Sequence, residues 1–459
     1  MRKKYFFAVF FSCLIVMSAC TENKTVRSLF NGEDLDLWNT QGSVKVENGI
    51  VALDDNASLI LKNGNFKDFE LQLSARMVNN GKGFVAFHTD KTGKGGYQIA
   101  LNNDLQSPRW WTKTGSLLGV RNLTKSVVKN DEWFDMTIRV EGKSITVKLN
   151  DYPVVEYTEP VAPYRSPEHA GQLLSRGNIY IKNTGGGILE FKTITITPLD
   201  IARQQRENAV DETTDEIIRL HQSDFPVLDY HVHLKGELTR ELAAEQSRKY
   251  GINYALAPNC GIGFPITTNE QVMAYLDSMK GWPFVQAMQG EGREWSSTFS
   301  KEVRDKFDFV FTDAMTFTDN KGRRTRLWIP EEVWIENEQQ YMDFIVQKIC
   351  EVMKEPMDVY VNPLFLPDQM NDRYDEFWTE ERMNRVLDAM VEHGKALEIN
   401  NRYRIPHKAF IEKAKTAGIK FTFGTNNIDS DFGKLEYCIR MMKECGITAE
   451  DMFKPHIQE

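Results

Sequence analysis

The chain changes its rhythm of apolar and polar residues twice. From about residue 28 to residue 198 apolar residues fall on every second position. "FELQLSARM" sets Phe69, Leu71, Leu73, Ala75 and Met77 on one side of an extended chain. "WFDMTIRV" does the same with Phe134, Met136, Ile138 and Val140, and "SITVKLN" with Ile145, Val147 and Leu149. Turn residues such as "EGKS" and "NDYP" separate the runs. Alternation with short turns predicts an antiparallel sandwich with one face of each sheet buried. From about 200 to 224 the pattern becomes charged and helical, which predicts a linker helix with a solvated surface.

After Asp224 short apolar runs alternate with longer helical patterns. The runs are "PVLDYHVH", "YALAPNC", "PFVQAMQGEG", "DFVFTDAM", "VYVNPLF", "ALEINN" and "KFTFGTNN". Helical patterns accompany them over 238–250, 269–280, 338–354, 380–393, 406–417 and 431–445. Seven strand–helix alternations predict parallel strands and a (β/α)7-type barrel. The fold class expected is therefore multidomain: an all-β antiparallel jelly-roll sandwich over 25–199, a linker over 200–224, and an α/β barrel over 225–459.

The first twenty residues stand apart. A basic start (Arg2, Lys3, Lys4) precedes an apolar run to Val16 and small residues before Cys20. That is the arrangement of a secretory signal, and the run is short for a bilayer span of about 20 residues. Met17-Ser18-Ala19-Cys20 resembles the bacterial lipobox. The resemblance implies cleavage before Cys20, lipidation of that residue, and a protein tethered at the cell envelope by its acyl chains. An ordinary signal peptide with an incidental cysteine is the alternative. Cys260, Cys350, Cys438 and Cys445 show no CxxC spacing and read as small buried hydrophobes.

A formal net charge of -9 with no basic run argues against a nucleic-acid partner. Candidate chemistry lies instead at the ends of the apolar runs. Parallel barrels keep their reactive groups at the C-terminal ends of strands. Those ends carry His231 and His233, then Asn259, Glu291 with Arg293, Asp313, Asn362, Glu398 with Asn400, and Asn426 with Asn427. Residues i and i+2 on a strand face one way, so His231 and His233 can present two imidazoles to one point. Two imidazoles and a carboxylate such as Glu291 would suit one divalent ion (Zn, Mn or Ca). Asp229 could orient an imidazole. Hydrogen-bonded core histidines are the plainer alternative. Arg293 and Arg402 read equally as an anion clamp or as surface ion pairs.

A seven-stranded barrel opening on His-x-His, with a later Glu in "QGEG", resembles the polymerase and histidinol phosphatase (PHP) family of metal-dependent phosphoesterases. His231, His233 and Glu291 match its pattern. Asn362 stands where a histidine is expected, and Asn426-Asn427-Ile428 where an Asp-x-His is expected. Asparagine is a poor zinc ligand, so these departures leave one metal or none.

In the first half, "SLFNGEDLDLW", "GGYQIALNND" and the closing "GGGILEFKTITITP" resemble the 3-keto-disaccharide hydrolase domain, a concanavalin-like sandwich. The resemblance implies binding or cleavage of glycosides. A ketone at C3 acidifies the C2 hydrogen, so a general base can expel the glycosidic oxygen. His88, Gln98 and Asp104 are substrate-binding candidates, with Trp110 of "SPRWWTKTG" as a stacking platform or a core residue. Together these readings point to an exported, lipid-anchored hydrolase of a glycoside or sugar derivative. Glu291, Glu398 and Asp313 would be its catalytic groups. Asn259, Arg293, Asn362, Asn400, Arg402 and Asn426 would hold the substrate. Two rivals stand beside it: a non-catalytic carbohydrate-binding sandwich on a degenerate barrel, and a PHP-type phosphoesterase.

Overall fold

The computed structural model describes residues 25–200 and 215–457. The expected signal, Cys20 and most of the expected linker helix lie outside the described residues. No described helix is long and apolar enough to cross a membrane.

Residues 27–198 form two antiparallel sheets. One places strand Phe69–Val78 between Phe134–Glu141 and the long closing strand Ile188–Pro198. The other centres on Asn178–Gly185, with Lys82–Thr89 and Tyr97–Leu101 beside it. The alternation read from sequence turns Leu71, Leu73, Met136, Ile138 and Val147 inward. They meet Val85, Phe87, Ile99 and Ile179 of the opposing sheet in one apolar core. Burial of that many side chains, each contributing about 1.5–3 kcal/mol, is what holds the sheets face to face.

The second half contains an eight-stranded parallel sheet; seven strands follow one another in chain order, Leu228–Val232, Asn253–Leu256, Val285–Gly290, Phe309–Thr312, Val359–Tyr360, Ala396–Asn400 and Phe421–Gly424, and the short strand Asn259–Cys260 also pairs with Val285–Gly290. The first and last strands lie together, which leaves a nearly closed, barrel-like sheet. The Asn426 amide donates to the His231 carbonyl at 2.9 Å. The Asp229 carboxylate accepts from the Thr425 amide at 3.0 Å, from the Thr425 hydroxyl, and from the His231 amide at 3.2 Å. Asp229 thus latches two strands instead of orienting an imidazole. Helices lie between successive strands and start where polar caps allow. Thr239, Thr268, Asn337 and Thr379 each accept from a first-turn amide. Gly251 and Gly446 take left-handed conformations that end two of them. The last helix runs over Glu436–Cys445, shorter than its sequence pattern. Of the four described cysteines, Cys260 and Cys438 are buried, whereas Cys350 and Cys445 are partly exposed.

One long irregular segment, residues 102–133, joins two sandwich strands and wedges into the second half. Trp110 and Trp111 pack edge to face and belong to the same apolar cluster as Phe225 and Val227. The Arg121 guanidinium is buried. It donates to the Lys249 carbonyl at 2.7 Å and the Arg248 carbonyl at 3.3 Å, which closes off the end of helix Arg240–Tyr250. Asn253 accepts from the Thr124 amide at 3.1 Å and donates to the Asn122 carbonyl at 2.8 Å. Lys125 reaches Asp308 at 3.2 Å. Asn253 and Asp308 stand at strand starts, so the sandwich covers the N-terminal end of the parallel sheet.

This contact predicts that the two halves unfold together. Arg121→Ala strands two helix carbonyls and opens a void, and should cost about 3 kcal/mol. Calorimetry is expected to show one transition in the parent protein and two in the variant.

Candidate functional site

The opposite, C-terminal end of the parallel sheet gathers most of the polar residues expected there. His231 lies in the first strand and His233 just past it. Their Nε2 atoms are 3.0 Å apart, and both rings are buried. His233 Nδ1 is 2.7 Å from the Ala257 carbonyl, which can only accept. His233 therefore carries its proton on Nδ1 and accepts at Nε2 from His231. Burial, then the neighbouring His231, holds the His233 ring well below the usual imidazole range, so it is neutral.

His231 Nδ1 meets Glu398 Oε1 at 2.6 Å. The other oxygen of Glu398 accepts from the Asn362 amide at 2.7 Å and Asn400 Nδ2 at 2.9 Å. Asn362 passes the network on. Its Oδ1 accepts from Asn400 at 2.9 Å and Asn426 at 2.8 Å, and its Nδ2 donates to Asp313 Oδ2 at 3.1 Å. Asn362 and Asn426 both sit at positive φ, 47° and 49°, a region that asparagine tolerates better than other side chains. Sequence showed asparagines where ligands were expected; the structure uses them to turn the backbone and bridge carboxylates.

Glu291 is buried beside this network, and Asn259 Nδ2 donates to it at 2.6 Å. Burial first, then the charge of Asp313, pushes the Glu291 carboxyl up to about 8. Burial also raises Asp313. Arg293 donates to the Asp313 carbonyl at 2.7 Å and pairs with Glu355 at 3.0 Å, which fixes it as a brace. Arg402 is exposed and lies over the Tyr403 ring. Sequence reasoning missed Gln289, which takes a hydrogen bond from Asn259 at 3.0 Å. Its spacing of two from Glu291 was the available signal.

The expected ligand set of His231, His233 and Glu291 is not assembled. The two Nε2 atoms converge, and each Nδ1 is held by an acceptor, as metal-binding imidazoles require. A third donor is missing. Glu398 is turned to Nδ1, and Glu291 is engaged by Asn259. Among the described residues no three His, Cys, Asp or Glu side chains form a group able to hold a metal ion.

The sandwich candidates are scattered. His88 accepts from the Ser175 amide at 3.1 Å through Nδ1 and bonds the Lys67 carbonyl at 2.9 Å through Nε2, so both nitrogens are taken by backbone. Burial lowers its pKa to about 4. Asp104 pairs with Lys82 at 2.9 Å. Trp110 is only 4% exposed, because it fills the contact between the halves, and offers no platform to a ligand. Gln98 does line a cavity of about 290 Å³, with Arg109, Asn122, His169, Gln172 and Asp224. Of these, His169, Gln172, Asn122 and Asp224 carried no motif in the sequence.

Residues 25–197 match the model of a family described as the 3-keto-alpha-glucoside-1,2-lyase-like domain. No curated protein matches the chain. Among solved structures, two from Parabacteroides distasonis, provisionally described as glycosyl hydrolases, align with this chain. One is 18% identical, covers 38% of this chain and 94% of its own, and has a TM-score of 0.35. The other is 24% identical, covers 38% and 100%, and has a TM-score of 0.32. A carbohydrate-binding module, CBM66, from Bacillus subtilis is 15% identical, covers 35% and 95%, and has a TM-score of 0.27.

Glu398 is the hub of the strand-end network, so its loss should be costly. Glu398→Ala leaves one imidazole and two amide donors buried without an acceptor, and should destabilise the protein by about 3–5 kcal/mol. Glu398→Gln keeps an acceptor and should cost less; urea denaturation compares the two.

Proposed function

We propose that the protein is an exported carbohydrate-directed hydrolase held at the cell envelope through Cys20, with acid–base chemistry at the C-terminal end of a (β/α)7-type barrel. The match of residues 25–197 to a 3-keto-alpha-glucoside-1,2-lyase-like domain supports the carbohydrate-related role. The observation that carries the chemistry is the pair of buried carboxyls, Glu291 and Asp313, at neighbouring strand ends among carboxamides.

Glu291 holds its proton near neutrality and is suited to a general acid. It would protonate the glycosidic oxygen as the C–O bond breaks. Asp313 would take the proton of the attacking water. Asn259 orients Glu291, and Asn362 orients Asp313. Glu398 and the two imidazoles hold Asn362 in place. No step calls for a metal ion. The rival reading, a carbohydrate-binding sandwich on a non-catalytic scaffold, draws support from one fact: every ring nitrogen of His231 and His233 and both oxygens of Glu398 have partners within the protein.

Turnover of glycosides and their 3-oxo forms tests both readings. Glu291→Gln should lower kcat by about 10²-fold or more while the protein stays folded. The active form carries the Glu291 proton, so the rate should fall as pH rises through about 8. A chelator should leave the rate unchanged. Absence of turnover on every substrate would favour the rival.

A further inference from the structure

A cavity distinct from the one lined by Gln98 opens in the second half. It lies between helix Asp215–Gln222 and the last helix, Glu436–Cys445, beside strand Asn253–Leu256. Its volume is about 640 Å³, within the range of about 300–1,000 Å³ usual for small-molecule sites. Ile217, Ile252, Leu435 and Ile439 form apolar walls with Phe432, whose ring centre lies 4.7 Å from that of Tyr254. Tyr254 lines the cavity and is only 2% exposed. Its hydroxyl has no hydrogen-bond partner among the described residues and keeps surface open to the cavity. Gly433 makes that opening. It sits at φ 70°, where glycine is favoured, and a Cβ there would stand 2.8 Å from the Tyr254 oxygen.

We propose that this cavity binds a neutral, flat aromatic molecule whose carbonyl accepts from the Tyr254 hydroxyl. The lining chemistry selects the class. Aliphatic walls with the rings of Phe432 and Tyr254 favour an aromatic body, since aromatic pairs gain more than their buried area alone gives. The unpaired hydroxyl asks for a partner, because a polar group taken from water without one is costly. Burial, then the charge of Asp229, holds the Tyr254 phenol well above its usual range, so it keeps its proton and can donate. The matching acceptor is neutral. A carboxylate set against one donor on an apolar floor would lose its hydration without compensation. The rim adds no net charge. Glu216 and Glu436 stand against Arg440 and Lys443, and Glu216 pairs with Lys443. The wall at Phe432–Leu435 is also fixed from behind, where the Lys434 carbonyl accepts from the Thr425 hydroxyl at 3.2 Å. The seat is therefore formed before a ligand arrives.

This site depends neither on the carbohydrate reading nor on the strand-end carboxyls, and its test is binding. Coumarin supplies a two-ring plane with a carbonyl; naphthalene supplies the plane without one. Both are titrated against the full chain by ligand-observed NMR. The parent protein is expected to bind both. Tyr254→Phe should raise the Kd of coumarin about fivefold, the weight of one hydrogen bond, and leave that of naphthalene unchanged. Ile439→Trp, which fills the cavity, should abolish binding of both. If Ile439→Trp does not fold, the two probes on Tyr254→Phe decide alone. The proposal is overturned if the parent protein does not bind coumarin, or if a folded Ile439→Trp still binds it. It is overturned equally if Tyr254→Phe leaves coumarin unaffected or weakens both probes alike.

Discussion

A carboxylate buried among the ends of parallel strands cannot be left unpaired, and that constraint organises the C-terminal face of this protein. Glu398 is fully buried. Burying an isolated carboxylate would cost several kcal/mol, so both its oxygens are engaged. One fixes the His231 ring; the other gathers the Asn362 amide and Asn400. From there the order spreads. The Ala257 carbonyl sets the tautomer of His233, which accepts from His231, and Asn362 reaches Asp313 and Asn426. Each side chain is oriented by the next, so the face is a preformed constellation and not a set of independent polar residues.

The other end of the strands is governed by a different need. Strand starts and the end of helix Arg240–Tyr250 expose backbone groups that must find partners. The irregular segment 102–133 supplies them through Arg121, Thr124 and Asn122. This fixes the sandwich at the end remote from Glu291 and Asp313. The polar groups around the cavity lined by Gln98 and those of the strand-end network have separate surroundings.

Much of this architecture was legible in the sequence because its causes are local. Period-two runs such as 69–77 and 134–140 specify half-buried strands whatever surrounds them. Apolar runs followed by capped helices specify parallel strands. The polar strand ends were readable for the same reason, since each follows a core-facing run. What was not legible depends on residues far apart in the chain. Asp229 was read beside the imidazoles it neighbours in sequence, yet its carboxylate is held by Thr425 just past the last strand. His88 was read as a substrate-binding candidate and is held by backbone from two other segments. Trp110 was read as a stacking platform or a core residue, and it is a core residue that fills the contact between the halves. The His231–His233 pair was read as a metal bite; the contact to Glu398, which commits the carboxylate elsewhere, spans most of the second half.

The strand-end network depends on imidazoles ordered by hydrogen bonds within the protein. Nitrogen-15 NMR of the histidine rings measures this directly. His233 is expected to stay neutral, with its proton on Nδ1, across about pH 5 to 8, where an unperturbed histidine titrates. A His233 that titrates in that range, or that carries its proton on Nε2, would contradict it.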